Sequence, residues 1–194
     1  MSELRSAVEA LQAEILAGLP DARIEEDFAE LQRAGELIDT ERLRRLAEIE
    51  RRANFQRDGH ISAASWLAST FKVAWGAARQ QVHLARALED MPQTRRALED
   101  GDVSMSAVRA LVAARDADPG AFRRSESELV EAARIHSMQD LQRVAAYWRQ
   151  AMEREAALNG EERLRDRRRL HASVSFMGMV RVDGDLDPET GETP

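Results

Sequence analysis

The chain has 194 residues, of which 43% are hydrophobic and 32% are charged, a balance that is typical of a folded chain and excludes intrinsic disorder. It contains no cysteine, which excludes disulfides, thiol nucleophiles and cysteine-ligated zinc. The formal net charge of −7 argues against a general nucleic-acid binder, although residues 59–115 carry seven basic and five acidic side chains.

The sequence predicts neither a signal peptide nor a membrane-spanning helix. Glu3 and Glu9 interrupt the apolar pattern of the N-terminus, so a signal peptide is not expected there. No apolar run approaches the roughly 20 residues that a membrane-spanning helix needs. The sequence therefore predicts a cytoplasmic protein without a membrane partner, which also fits the absence of cysteine.

Two amphipathic helices are predicted in the first 57 residues. Residues 2–17 have apolar side chains at helical spacing, and the sequence Gly-Leu-Pro-Asp predicts the end of that helix. A second helix is predicted over 25–57, with Asp39 and Thr40 as a candidate break. Its narrow apolar seam suits packing on a helix of the same chain or of a second copy, so a homodimer through 25–57 is one candidate assembly. The seam consists of Phe28, Leu31, Leu37 or Ile38, Leu43, Leu46, Ile49 and Ala53.

Shorter helices are predicted in the middle of the chain, each with a local start signal. Ser62, Ser104 and Ser137 are candidate N-caps, and Pro92 suits the first turn of a helix. Residues 116–125 are predicted to form a linker. The predicted helices are 62–69, 74–90, 93–100, 104–115, 125–135 and 138–158. Core anchors are expected at Trp66, Trp75 and Trp148.

The apolar period changes from helical spacing to alternation at Leu170. Alternation on either side of Gly178 predicts a C-terminal β-hairpin. The predicted fold class is therefore mainly α, a bundle of about eight helices with helix-turn-helix-like pairs and this hairpin. The predicted division is an N-terminal helix and linker at 1–24, a helical bundle at 25–169, and the hairpin with an acidic turn at 170–194. Because a lone hairpin is marginally stable, we expect a continuation beyond this piece.

Four runs of sequence, in a fixed order, carry a family resemblance. They are "WLA" at 66–68, "LARALEDMPQT" at 84–94, "ALEDGDVSMSAV" at 97–108 and "LHASVSFMGMVRVDGDLDPETGE" at 170–192. Together they resemble a bacterial domain of unknown function that is common in actinobacterial-type genomes. That domain is known in mobile-element contexts as the thirteen-E-twelve repeat family, and in it the helical region precedes an HNH endonuclease module.

The resemblance implies a setting for this chain and no catalytic residue within it. The nuclease motif of longer relatives has paired histidines, often with cysteine pairs that hold zinc. This sequence has four isolated histidines and no cysteine, so no nuclease residue can be carried over and enzymatic activity stays undecided. The expected function is non-catalytic positioning of duplex DNA beside the nuclease module. The alternative is a protein-interaction or self-association scaffold without nucleic-acid binding.

The first candidate DNA-binding set lies on the helix predicted over 74–90 and at its entrance. A DNA-reading helix needs polar donors on one face while its other face is buried. An ordinary solvated face of a bundle helix shows the same pattern, and this alternative stays open. The set consists of Lys72, Arg79, Gln80, His83 and Arg86.

Two arginine groups are further candidates for phosphate contact. Arg95, Arg96, Arg109 and Arg115 belong to a predicted helix pair that resembles the helical turn of ParB-type partition proteins. The alternative for that pair is a packed helical hairpin with Val103, Val108, Leu111 and Val112 in the core. The second group could clamp phosphates or could simply complement a helix C-terminus. It consists of Arg163, Arg165, Arg167, Arg168 and Arg169.

Alternating carboxylates at the C-terminal acidic turn could share one strand face and hold a divalent cation. Asp183, Asp185 and Asp187 alternate as the first ligands of an EF-hand loop do, but Pro188 and Pro194 stand where that loop requires glycine and glutamate. The sequence therefore predicts repelling carboxylates there and no metal ligand. No cofactor and no small-molecule ligand is expected.

Overall fold

The computed structural model describes residues 2–166, 169–174 and 180–185, with side chains over residues 3–158. Eight α-helices and two β-strands occupy the described residues, together with two short 3-10 segments at Leu16–Gly18 and Asn54–Asp58. The elements are α1 Ser2–Gln12, α2 Asp21–Arg51, α3 Ala63–Phe71, α4 Trp75–Glu89, α5 Pro92–Glu99, α6 Met105–Ala117, α7 Pro119–Ile135, α8 Met138–Asp166, β1 Arg169–Val174 and β2 Val180–Asp185.

The prediction of a mainly α-helical fold is confirmed. α6 lies at the centre of the bundle and packs against α2, α4, α5, α7 and α8. It can do so because its buried residues, apart from Met105, are alanine, valine and leucine, which let neighbouring helices approach closely. Among the described residues, the largest fully buried side chains are those of Phe122, Met91, Leu98, Leu111, Leu141, Val108 and Thr94.

The two strands pair antiparallel at the C-terminal end of the described chain. Arg169 lies opposite Asp185, and Val174 lies opposite Val180. The connecting residues 175–179, which contain the predicted turn, lie outside the described residues. The hairpin as a whole therefore stays a prediction, as does the division of the chain at residues 24 and 169.

Local caps begin three of the helices where the sequence predicts them. The Ser62 hydroxyl accepts from the backbone N–H of Ser65 at 3.1 Å, and the Ser65 hydroxyl accepts from the N–H of Ser62 in return. The hydroxyl of Ser104 accepts from Ala107 at 3.2 Å, and that of Ser137 accepts from Asp140 at 3.2 Å. These contacts satisfy N–H groups that the first turn of a helix leaves without a helical partner.

Carboxylates from distant elements accept hydrogen bonds at the N-termini of α5 and α6. Oε1 of Glu126, on α7, accepts from the N–H groups of Gln93 at 3.0 Å and Thr94 at 2.8 Å in the first turn of α5. Glu36, on α2, accepts from the N–H of Met105 at 2.6 Å at the start of α6. A negative charge at a helix N-terminus is stabilised by the free N–H groups and the helix dipole. These contacts fasten α5 to α7 and α6 to α2.

Two predicted breaks in the helical part of the chain are wrong, and α2, predicted to end at residue 57, ends at Arg51. Residues 116–125 are not a linker, because Asp118 caps α7 through the N–H of Ala121 at 2.8 Å and Pro119 occupies its first position. Asp39 and Thr40 do not break α2, which continues to Arg51. The Thr40 hydroxyl donates to the carbonyl of Glu36 at 2.8 Å, a bond that a threonine can make inside a helix.

None of the described helices is both long enough and apolar enough to cross a membrane. The cytoplasmic location stays a prediction.

Candidate functional site

An open cleft, the α4 cleft, lies between α4, the end of α2 and the start of α3. Its volume is about 480 Å3. It brings together four members of the first predicted set, while Lys72 lies outside its lining, in the connection between α3 and α4. Its lining is Glu50, Ser62, Ala64, Trp75, Gly76, Arg79, Gln80, Val82, His83 and Arg86.

Acidic side chains engage two of the predicted donors in the α4 cleft. Arg86 binds the carboxylate of Glu50 through two nitrogens, with Nε 2.7 Å from Oε2, and this hydrogen bonding raises the pKa of Arg86. Nε2 of His83 lies 2.6 Å from Oδ2 of Asp116. A guanidinium that already donates to a carboxylate through two of its nitrogens has fewer donors left for a phosphate. Over the described residues, Lys72 and Arg79 have no ion-pair partner.

Trp75 is a lining residue of the α4 cleft that sequence reasoning placed wrongly in the core. Its side chain is 51% exposed, whereas Trp66 and Trp148 pack against the core as predicted. Trp75 precedes Arg79 by four residues and His83 by eight, so all three share one face of α4. The spacing of Trp75 relative to Arg79 and His83 could have indicated an exposed position. Tryptophan in a helix is buried more often than exposed, and the prediction followed that tendency.

A packed helical hairpin, α5 with α6, carries the arginine group Arg95, Arg96, Arg109 and Arg115. Val103, Val108, Leu111 and Val112 are all buried, so that alternative is confirmed. Arg115 contacts Asp90 at 2.8 Å. Looser i,i+4 pairs join Arg95 to Glu99 at 4.0 Å and Arg96 to Asp100 at 3.8 Å, and Arg109 is exposed. The acidic neighbours reduce the positive potential of this group.

The C-terminal candidates lie where no side chain is described. Arg163 and Arg165 belong to the last turns of α8, Arg169 begins β1, and Arg167 and Arg168 lie outside the described residues. Asp183 and Asp185 belong to β2, and Asp187 lies outside the described residues. Among the described residues, no group of three or more histidine, aspartate or glutamate side chains could hold a metal ion.

A row of apolar side chains, the α2 row, lies exposed on α2 between Ile24 and Ile38. Phe28 is 67% exposed and Leu31 is 50% exposed. The second half of the same helix behaves differently, because Leu43 and Leu46 are buried in the core. The predicted seam over 25–57 is therefore divided, and only its first half is available to another molecule. We define the α2 row as Ile24, Phe28, Leu31 and Ile38.

The residues of both surfaces fall inside one family match. A family model described as a domain of unknown function, DUF222, matches residues 22–193. The chain belongs to this family. No curated protein and no solved structure matches the chain.

The DUF222 match covers the α2 row and the α4 cleft but not α1. Leu4, Val8 and Leu11 on α1 are also exposed, yet they precede residue 22, where the match begins. The α2 row, which is apolar, and the α4 cleft, which combines polar side chains with the indole of Trp75, both belong to the DUF222 part of the chain. The family description itself assigns no activity to either.

Proposed function

We propose that this DUF222 chain is a protein-interaction module whose contact surface is the α2 row. One observation carries the proposal: an uninterrupted helix buries the apolar stripe of its second half and leaves that of its first half in solvent. A single exposed apolar side chain is ordinary in a soluble protein. A row of four exposed apolar side chains on one helix face is not ordinary, and it is typical of a surface that another molecule covers.

The spacing of the α2 row indicates the kind of contact. Its members follow one another at intervals of four, three and seven residues, which keeps them on one side of a helix. The same spacing forms the seam of helices that pack side by side. The α2 row is therefore suited to an elongated helical partner rather than to a small molecule, which would need a concave pocket.

A selection from a displayed library of helical peptides tests this proposal. The full chain should enrich binders that no longer bind the double variant Phe28→Ser with Leu31→Ser, because that variant makes the α2 row polar. Ile61→Ser is the matched control, since Ile61 is an apolar side chain exposed elsewhere, and it should retain every binder. A selection that yields only binders indifferent to the double variant rejects the proposal.

A second candidate function is the positioning of duplex DNA at the α4 cleft. Its specific support is that Arg79, Gln80, His83 and Arg86 line one cleft. The resemblance to chains with an HNH endonuclease module, known from mobile elements, gives this candidate its setting. The acidic partners of Arg86 and His83 weigh against it, so the second candidate rests mainly on Arg79 and Lys72.

Fluorescence anisotropy with labelled duplex DNA at low salt tests the second candidate. Lys72→Ala with Arg79→Ala should weaken binding about tenfold. It should also lower the slope of log affinity against log salt concentration by about two, the value for two lost phosphate contacts. Arg33→Ala, which removes an exposed arginine of α2, is the control and should change neither. If the unaltered chain does not bind at low salt, or if both variants bind alike, DNA positioning at this cleft is ruled out.

A further inference from the structure

The α2 row has an acidic border. Residues 21–30 carry five acidic side chains and one basic side chain, Arg23, which pairs with Asp27. Asp21 precedes Ile24 by three residues and Glu25 precedes Phe28 by three, so each carboxylate lies beside an apolar member of the row. Both carboxylates are exposed and, among the described residues, have no ion-pair partner. They are available to a positively charged group from outside.

Gly35 interrupts the apolar side chains of the same face. It follows Leu31 by four residues and precedes Ile38 by three, in the interior of α2. Glycine weakens a helix interior relative to alanine, so its use there calls for a reason. A Cβ at Gly35 would meet nothing within 4 Å, so the packing of this chain does not supply one. An open backbone position is the place where a second helix can approach closely.

We propose that the α2 row binds an amphipathic helix of a partner protein that carries lysine or arginine beside its apolar face. The inference rests on the proposed interaction function and adds the chemistry of the partner. From Ile24 to Ile38 the row is roughly 21 Å long at 1.5 Å per residue, which a partner helix of about 15 residues covers. Apolar side chains of the partner pack on the row, and its cations reach Asp21 and Glu25.

The same border argues against a second copy of this chain as the partner. Two copies that pack in parallel through their α2 rows would bring one acidic border directly against the other. Facing carboxylates repel, and flanking charges of this kind decide which helices pair. A basic helix turns the same carboxylates into attractive contacts. Charge therefore selects a partner of opposite sign.

Binding of two synthetic helical peptides to the full chain tests the inference. Both peptides have about 18 residues and the same leucine and alanine face, and they differ only in carrying lysine or glutamate beside it. By fluorescence anisotropy at low salt, the lysine peptide should bind at least about tenfold more tightly than the glutamate peptide. Phe28→Ser with Leu31→Ser should abolish that binding.

A pair of adjacent variants separates a specific border from general attraction. Glu25→Lys should weaken the lysine peptide about fivefold, because it reverses the charge beside Phe28. Glu26→Lys makes the same change on the next residue, which lies about 200° around the helix from Phe28, and should have little effect. Equal weakening by both variants would mean diffuse attraction to an acidic chain and would overturn the inference.

Sedimentation separates the inference from the function on which it rests. A dimer that the double variant abolishes and the lysine peptide does not displace would make a second copy the occupant, and would overturn the basic partner while the interaction module stands. Library binders that depend on the α2 row but carry no lysine or arginine would also overturn the basic partner and leave the interaction module standing. If the library yields no row-dependent binder at all, the interaction function itself fails.

Discussion

At the scale of the residue, Glu126 is the clearest case of one side chain that holds two elements together. Its side chain is 3% exposed, and Oε1 accepts from the N–H of Thr94 at 2.8 Å and from the Thr94 hydroxyl at 3.0 Å. Met91, at the N-cap position of α5, has no side chain able to accept these bonds. The distant carboxylate therefore replaces the local cap that the sequence of α5 lacks.

Removal of this carboxylate should destabilise the bundle. Glu126→Ala leaves the Thr94 N–H and hydroxyl buried without an acceptor, which should lower the free energy of unfolding by about 3 kcal/mol. Glu128→Ala, an exposed change two residues along the same helix, should cost less than about 0.5 kcal/mol. Urea unfolding measures both. Equal stability of the two variants would show that α5 does not depend on Glu126.

At the scale of the element, α2 is one helix with two environments. Its second half is stabilised by burial of Leu43 and Leu46 and by arginine–carboxylate pairs on the solvent side. The hydrogen bond from Arg44, with a further one from Arg45, lowers the pKa of Glu41 to about 2. Hydrogen bonds from Arg51 and then Arg52 lower the pKa of Glu48 to about 2. Both carboxylates thus stabilise the folded chain in their charged form.

These pairs predict how the stability of the chain depends on pH. A carboxylate whose pKa is depressed in the folded state stabilises the fold above its ordinary pKa of 4.5, and that stabilisation is lost as pH falls toward about 2. Glu41→Gln with Glu48→Gln should therefore lower the melting temperature at pH 7 and have almost no effect near pH 2. The effect is small and should shrink in high salt, because both groups are exposed to solvent.

Calorimetric melting at pH 7 and pH 2, with the unaltered chain as reference, measures this difference. Glu30→Gln is the matched control, because Glu30 is exposed on the same helix and has no ion pair among the described residues. A difference in melting temperature that is the same at both pH values would show that the arginine contacts contribute nothing to stability.

At the scale of the whole molecule, the buried core and the α2 row are two separate apolar surfaces. Leu111 lies fully buried on the central helix α6, in contrast to the exposed Phe28 and Leu31. Leu111→Ala should reduce the free energy of unfolding by about 2–5 kcal/mol, because it removes buried methyl groups and leaves a cavity. Phe28→Ser with Leu31→Ser should change it by less than about 1 kcal/mol.

Urea unfolding of the two variants compares these surfaces directly. A row variant that unfolds as readily as Leu111→Ala would place the first half of α2 in the core of the molecule. The apolar side chains of the α2 row would then already be buried within the chain, so a partner could gain no free energy by covering them.

The sequence by itself determined the features that depend on neighbours three or four residues apart. The serine caps at Ser62 and Ser104, the helix start at Pro92 and the period of α4 are contacts of this kind, and they confirmed the helical fold. The same period brought Arg79, Gln80, His83 and Arg86 together on one face of α4. Local hydrogen bonds and helical geometry require no knowledge of the rest of the chain.

Only the tertiary structure decided which of those faces another element covers and which charges a distant residue neutralises. The seam of α2 looks continuous in the sequence, yet α4 lies against its second half and leaves Phe28 and Leu31 in solvent. Arg86 looks like a free donor until the fold brings Glu50, which is 36 residues away, to its guanidinium. The physical reason is that burial and ion pairing depend on contacts between distant segments, which the periodicity of one helix does not encode.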